Sequence, residues 1–212
     1  PSKTLLQAAK TYHHAKHGSI FGVEAEGVTF NYPKAHEHKN NVMNKMRDGI
    51  AGLMKKYKVD VIEGEANLLP NLQVEISGEI HEATDILLCT GSSPAIPPIP
   101  GVELDHVVDS TGILERESLP KHLVVVGGGV IGCEFACMHA SVGVPVTVLE
   151  AMPEICPNLD SEVSASLREG LTKKGVTFKL GAKVESISSD KVTYSDESGS
   201  NELEADLVLV AT

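Results

Sequence analysis

The segment from residue 122 to residue 150 constrains the fold more than any other part of the chain. Residues 122–126 and 144–150 are apolar runs typical of buried strands, and residues 130–142 between them have helical composition. The first strand leads directly into the helix through Gly-Gly-Gly-Val-Ile-Gly at residues 127–132, which fits G-x-G-x-x-G. This order predicts two parallel strands joined by a crossover helix, with an anion-binding loop at the start of the helix.

Each glycine of this loop has an expected role. Gly127 would permit the tight turn, Gly129 would let the backbone approach a pyrophosphate, and Gly132 would let helix and strand pack closely. The amides at the head of the helix and the positive end of its dipole then favour a phosphate group.

Glu150 ends the second strand, which is where a carboxylate can accept hydrogen bonds from the adenosine ribose hydroxyls of a dinucleotide. A 2′-phosphate would bring negative charge against that carboxylate. We therefore predict that the chain binds NAD in preference to NADP.

The rest of the chain divides into two parts. Residues 119–212 continue the alternation with a helix at 161–174, a strand at 176–180 and a hairpin formed by 183–188 and 191–194, so we expect an α/β fold with a Rossmann-like NAD-binding domain, incomplete at its C-terminus. Residues 1–118 form a separate domain in this interpretation. Its predicted elements are helices at 2–17 and 34–56 and strands at 59–63, 72–76, 79–81 and 85–90, the last of these a continuous apolar run expected to be buried on both faces.

Composition excludes several classes of protein. Lysine and arginine number 18 against 29 aspartates and glutamates, and a net charge of −11 disfavours a general nucleic-acid binder. No apolar run is long enough for a membrane span, and nothing resembles a secretion signal. We expect a cytoplasmic protein, with the mitochondrial matrix as the alternative.

The cysteines and histidines give no metal-ligand pattern. Cys133 and Cys137 are four residues apart on the predicted helix, a spacing that permits a redox pair but is more typical of two packed side chains. The nine histidines are scattered or lie on polar helix faces. We predict no metal site.

Three features carry a family resemblance. The chain opens with Pro-Ser-Lys-Thr-Leu-Leu, it has Thr-Gly-Ser after the apolar run at 85–90, and it has Gly-Gly-Gly-Val-Ile-Gly-Cys-Glu at 127–134. Together these resemble the flavoprotein disulfide oxidoreductases, and most closely the dihydrolipoamide dehydrogenases. The resemblance covers the whole chain and implies that residues 1–118 are part of an FAD-binding domain.

The resemblance assigns a catalytic role to two residues. Lys3 matches a lysine near the N5 edge of the flavin, and Glu134 matches its acidic partner. A cation there would favour electron density on the flavin, and the carboxylate would hold the lysine in place.

The resemblance also implies contacts with the cofactors. For FAD these are Lys3, Ala66, Thr90, Gly91 and Ser92. For NAD these are Gly127, Gly128, Gly129, Val130, Ile131, Gly132, Cys133, Glu134, Glu150 and Val184.

The implied activity is oxidation of a dihydrolipoyl group on a carrier protein, with electrons passing to FAD and then as hydride to NAD. On this alignment the chain is an internal piece: the redox cysteines precede Pro1, and the catalytic histidine and the domain that would form a homodimer follow Thr212. Two alternatives stay open. One is another disulfide reductase, such as a mercuric reductase or a soluble transhydrogenase; the other is an isolated, non-catalytic NAD-binding module.

Overall fold

The computed structural model describes residues 1–212, which form two compact units. The larger unit comprises Pro1–Val42 and Pro94–Thr212, and the smaller comprises Met43–Ser93. None of the helices combines the length and the hydropathy that a membrane crossing requires.

A five-stranded parallel sheet is the centre of the larger unit. In spatial order its strands are β4 (Val107–Val108), β11 (Leu207–Val210), β5 (Leu123–Val126), β6 (Val146–Glu150) and β7 (Val176–Leu180). Every residue of β5, β6 and β11 is buried. β5 and β11 are apolar at every position, as is typical of strands covered on both faces, whereas β6 also contains Thr147 and Glu150.

Helices cover one face of this sheet. α1 (Ser2–Lys16) packs on α4 (Val130–Ser141) through the buried Leu5 and Ala9, and α5 (Ser161–Lys173) lies against α4 and β7. Alternate residues of β5, such as Val125, point into this layer because successive strand side chains point to opposite faces. The short α3 (Gly112–Glu115) contributes the buried Ile113.

A second sheet covers the opposite face. β8 (Lys183–Ile187), β9 (Lys191–Asp196) and β10 (Gly199–Glu204) form an antiparallel sheet in the order β10-β9-β8. Val124 and Val126 of β5 pack with Ile187 and Val192 on this side. The predicted α/β class, crossover helix and β8–β9 hairpin are confirmed, and β10 is an addition.

The first part of α2 (Tyr32–Lys56) belongs to the larger unit, where it brings a cation into the interior. Lys39 is fully buried, and its Nζ donates to the carbonyl oxygen of Leu114 and lies 3.1 Å from Nε2 of His36. This contact ties α2 to the end of α3.

The smaller unit contains the rest of α2 and the antiparallel sheet β1 (Ala66–Leu69), β2 (Gln73–Ile76) and β3 (Glu79–Glu82). The predicted strands at 59–63 and 85–90 are wrong. Neither segment has regular structure or a strand partner, and Leu87 is 87% exposed. An apolar run becomes a buried strand only when another strand takes up its backbone hydrogen bonds, and nothing in the run itself supplies that partner. The domain boundary after residue 118 stays a prediction.

Candidate functional site

The glycine loop joins β5 to α4 with a backbone that needs two of its glycines. Gly127 has φ +108°, and a Cβ there would lie 2.5 Å from the carbonyl oxygen of Ala211. A Cβ on Gly132 would lie 2.1 Å from the carbonyl oxygen of Gly127. The first glycine therefore makes the turn, and the last lets α4 approach the loop.

Gly129 differs from both. A Cβ there would meet nothing closer than the oxygen of Ala211 at 3.9 Å. The fold does not need glycine at this position for space, so the open side of Gly129 is available to a ligand.

Glu150 holds the loop through Gly128. One carboxylate oxygen accepts from the amide of Gly128 at 2.6 Å, and the other accepts from the amide of Met152 at 2.7 Å. The side chain is buried, yet it also lines the cleft beside the loop. A carboxylate has about four acceptor positions, so one remains on each oxygen for further donors.

The amides that follow Gly128 have no protein acceptor. α4 has no side-chain cap, and its first backbone hydrogen bond runs from Cys133 to the oxygen of Gly129 at 3.0 Å. The N–H groups of Gly129, Val130 and Ile131 are thus the free donors that the start of a helix presents to an anion. The side chains of Val130 and Ile131 are exposed.

The first of these donors, Gly129, lines a cleft of about 880 Å³. It lies beyond the carboxyl ends of β5, β6 and β11, the place where parallel α/β sheets bind ligands. Gly127, Gly129, Glu150 and Val184 all line it, so four residues predicted from the sequence to bind NAD share one cavity.

The cleft also contains residues that the sequence analysis missed. No motif singles them out, because they come from the proline-rich segment, the loop after β6, the start of β8 and the end of the chain. They are Pro98, Ile99, Asn158, Lys183, Glu185, Ala211 and Thr212.

Lys3 and Glu134 form an ion pair, although they are far apart in sequence. Lys3 lies in the first turn of α1 and Glu134 in the second turn of α4, and the packing of these helices brings them together. The lysine side chain is 77% exposed, so the ammonium group remains accessible to a ligand.

The other residues predicted to contact FAD lie in the smaller unit. Ala66 begins β1 and is exposed, and Thr90, Gly91 and Ser92 are exposed in a segment without regular structure. Gly91 has φ +72° and no atom within 4 Å of the position of a Cβ. These positions are accessible to a cofactor.

Cys133 has a different neighbour from the one its spacing suggested. Its Sγ donates to the carbonyl oxygen of Gly128 at 3.4 Å, and the buried Cys156 donates to the same oxygen through its amide at 3.0 Å and through Sγ at 3.6 Å. Burial, followed by the nearby Cys156, raises the pKa of the Cys133 thiol to about 12. Both thiols are thus hydrogen-bond donors behind the loop, and the raised pKa of Cys133 makes that thiol a poor nucleophile.

All four cysteines are free, and no group of three or more histidine, cysteine, aspartate or glutamate side chains in residues 1–212 is arranged to hold a metal ion.

Comparison with known proteins identifies a family of similar sequences. The profile of the family described as pyridine nucleotide-disulphide oxidoreductase matches residues 1–212. A dihydrolipoyl dehydrogenase of Chlamydia pneumoniae is 38% identical over 219 residues, which cover 100% of this chain and 46% of that protein. Another from Acholeplasma laidlawii is 36% identical over 216 residues, covering 100% of this chain and 64% of the relative. The chain therefore spans about half the length of the curated relatives it matches.

Comparison with solved structures also finds similar proteins. The Cu(II) complex of the HOCl-induced flavoprotein disulfide reductase RclA from Escherichia coli superposes with a TM-score of 0.80 at 32% identity, covering 100% of this chain and 45% of that one. LpdA from Mycobacterium tuberculosis has a TM-score of 0.85 at 24% identity over 100% of this chain and 48% of that one, which supports the fold alone. From the profile match and these relatives we conclude that the chain belongs to the pyridine nucleotide-disulphide oxidoreductase family.

Proposed function

We propose that the chain is the NAD-binding part, with a portion of the FAD-binding part, of an oxidoreductase that acts on dihydrolipoyl groups. The observation that carries the proposal is the cleft that both Gly129, at the head of α4, and Glu150 line. The curated relatives named dihydrolipoyl dehydrogenase support the choice of substrate over a mercuric reductase or a soluble transhydrogenase.

In this proposal the N–H groups of Gly129, Val130 and Ile131 donate to the dinucleotide pyrophosphate. Gly129 lets the backbone approach, because its open side carries no Cβ. The remaining acceptor positions of Glu150 take the adenosine ribose hydroxyls, and Val184 contacts the adenine. The same carboxylate would repel a 2′-phosphate, which makes NAD the preferred nucleotide.

The pair of Lys3 and Glu134 would orient the flavin. Glu134 is 30% exposed and keeps the lysine ammonium group in place, while the exposed lysine is free to face the N5 edge. Ala66, Thr90, Gly91 and Ser92 would line the FAD on the smaller unit. Bound FAD and NAD would supply the electron and hydride transfer, and this chain would supply their position and electrostatics.

The whole protein would be a cytoplasmic homodimer that meets a dihydrolipoyl group on a carrier protein. The 212 residues alone would bind NADH without lipoamide turnover, which corresponds to the NAD-module alternative.

Replacing Gly129 with alanine tests the cleft. The new methyl group has space in the fold, so the protein is expected to keep its stability. The methyl would nevertheless stand where the pyrophosphate must approach the amides, so NADH affinity should fall by at least about tenfold, equivalent to about 1.4 kcal/mol. Fluorescence titration of the chain with NADH measures this, and titration with NADPH should show weaker binding by the unsubstituted protein.

Gly170→Ala is the matched control. Gly170 is a glycine within α5 whose Cβ would meet nothing within 4 Å, and it lies outside the cleft. Its NADH affinity should be unchanged. Equal NADH affinity in Gly129→Ala and the unsubstituted chain would refute the proposed nucleotide site, and equal affinity for NADPH would refute the role of Glu150.

A further inference from the structure

A second cavity lies between α1, α4 and the residue that follows α5. It has a volume of about 440 Å³, in the lower part of the range of roughly 300–1,000 Å³ that small-molecule sites occupy. It shares no lining residue with the nucleotide cleft. We refer to it as the α1–α4 groove; it is lined by Lys3, Leu6, Gln7, Ala9, Lys10, His13, His14, Cys137, Ser141 and Lys174.

Basic side chains dominate the lining of the groove. Three lysines and two histidines contribute to it, and no aspartate or glutamate does. This is unusual in a chain whose net charge is −11. Two separate parts of the fold provide the lysines, since Lys3 and Lys10 lie on α1 while Lys174 follows α5.

These charges are mostly not neutralised within the protein. Lys3 has Glu134 as its partner, but Lys10 and Lys174 form no ion pair, whereas Lys173 next to Lys174 pairs with Glu169. Lys10 and Lys174 are exposed, so both ammonium groups can turn toward a ligand in the groove.

The surroundings of the groove change the pKa of His13. Its pKa lies below the ordinary value of 6.5, first because of partial burial and then because of the basic side chains of Lys174, His17, His14 and Lys16 nearby. Each of these neighbours disfavours a further positive charge.

The surroundings also decide which kind of ion fits. His13 on α1 and His17, the residue that follows α1, are four residues apart with ring centroids 4.3 Å apart, and this spacing alone would permit a divalent cation. The nearby lysines oppose a cation and favour an anion. The side chains of Ser141 and Gln7 add neutral hydrogen-bond donors.

We propose that the α1–α4 groove is a binding site for a small polyanion of the phosphate or diphosphate class, separate from the nucleotide cleft. Lys10 and Lys174 provide its main charge, and His13 adds charge when protonated. This inference goes beyond the proposed nucleotide function and does not depend on it.

Calorimetric titration of the 212-residue chain with sodium pyrophosphate tests the site. Because pyrophosphate can also reach the amides of the nucleotide cleft, the titration is repeated in the Gly129→Ala background, where groove binding should persist. Sodium chloride at equal ionic strength should give no saturable heat, because screening alone has no stoichiometry. Inorganic phosphate should bind more weakly than pyrophosphate.

The double substitution Lys10→Gln with Lys174→Gln should weaken pyrophosphate binding by at least about tenfold, since it removes two charge-assisted contacts. The matched control is Lys45→Gln with Lys55→Gln, which removes the same net charge from exposed positions of α2 outside the groove. The control should bind pyrophosphate within about twofold of the unsubstituted chain, and both proteins should keep the same melting temperature.

A second readout follows the ring of His13. Bound pyrophosphate should raise its pKa, seen as an upward shift of the titration of its Hε1 proton by NMR, with His13→Gln identifying the resonance. Equal losses in the two double variants, saturable binding lost entirely in Gly129→Ala, an unchanged His13 titration, or binding of Zn²⁺ without binding of pyrophosphate would each overturn the assignment.

Discussion

The glycines of the loop differ in why a side chain is absent: at some positions the fold has no room for a Cβ, and at another the open space is available to a ligand. A Cβ would collide with backbone oxygen at Gly127 and Gly132, whereas at Gly129 it would point into open space. Two of the three motif glycines therefore serve the fold, and the middle one is free to serve a ligand. The motif alone does not distinguish these roles, because the colliding oxygen at Gly127 belongs to Ala211, at the far end of the chain.

Substituting Gly132 with alanine should therefore damage the fold, in contrast to Gly129→Ala. The methyl group would be forced against the carbonyl oxygen of Gly127, and overpacking of this kind costs about 1–3 kcal/mol. Urea unfolding followed by circular dichroism measures the loss, with Gly170→Ala as the control. A Gly132→Ala protein as stable as the parent would contradict the close packing of α4 on the loop.

His139 makes the stability of the chain depend on pH. It is buried in α4, where its Nδ1–H donates to the oxygen of Phe135 at 2.8 Å, and burial lowers its pKa to about 4. Between that value and 6.5 the unfolded chain binds a proton that the folded chain excludes. The free energy of unfolding should therefore fall as the pH is lowered through this window, by at most about 1.4 kcal/mol per pH unit.

Unfolding in urea at pH 7 and pH 5 measures this dependence. His139→Met replaces the ring with a non-titrating side chain of similar size and should reduce the slope. His14→Gln removes an exposed histidine from α1 and should leave it unchanged. An identical slope in all three proteins would show that His139 is not the group responsible.

Among the elements, those with local signals were predictable and those that depend on distant partners were not. The strand, glycine loop, helix and strand at 122–150 carry their own turn residues and periodicity, so they were identified correctly. β10 has the polar sequence Gly-Ser-Asn-Glu-Leu-Glu and is a strand because it pairs in register with β9. The strand prediction for the apolar segment 85–90 is wrong for the opposite reason, since this segment has strand composition but no strand beside it.

The residues of the candidate site fall into the same two groups, those with a local sequence signal and those whose position depends on distant parts of the chain. Gly127, Gly129 and Glu150 could be placed in one cleft from their spacing, and the partnership of Lys3 with Glu134 followed from a family resemblance. The contact of Cys156 with Gly128 could not be foreseen, because it depends on the path of the loop after β6, where Cys156 has a positive φ of 47°. Lys183 and Glu185 could not be foreseen as lining the cleft either, because their position depends on how β8 pairs with β9.

α5 depends on a cap at its start. The side chain of Asp160 accepts from the amide of Glu162 at 2.9 Å. Asp160→Ala should lower the free energy of unfolding by about 0.5–2 kcal/mol, because that amide loses its acceptor. Thermal or urea unfolding measures the change. The control is Asp105→Ala, at an exposed residue without such a bond, whose free energy of unfolding should be within about 0.5 kcal/mol of the parent. Equal losses in the two variants would show that the cap does not stabilise α5.

On the scale of the whole molecule, burial is distributed very unevenly. All the deeply buried apolar side chains belong to the larger unit, and residues 43–93 contribute none. Several apolar side chains of the smaller unit, including Val61 and Leu88, are more than half exposed. The two units therefore have different sources of stability.

Hydrogen exchange followed by mass spectrometry should resolve this difference. Amides of β1, β2 and β3 are expected to exchange faster than those of β5, β6 and β11, because local opening of the smaller unit exposes little additional apolar surface. Addition of NADH should slow exchange at residues 127–132 and leave β1–β3 unchanged. Equal protection of the two sheets without ligand would contradict the inference from burial.

The attachment of Gly128 on both sides has a consequence for ligand exchange. Its N–H is taken by Glu150 and its C=O by Cys156, so parts of the chain outside the loop fix the loop's shape. A ligand that binds at the loop has little backbone freedom to remove, and its release restores little. The residence time of such a ligand should then be governed by contacts along the rest of the cleft, so substitutions at the far wall should change it without altering the loop.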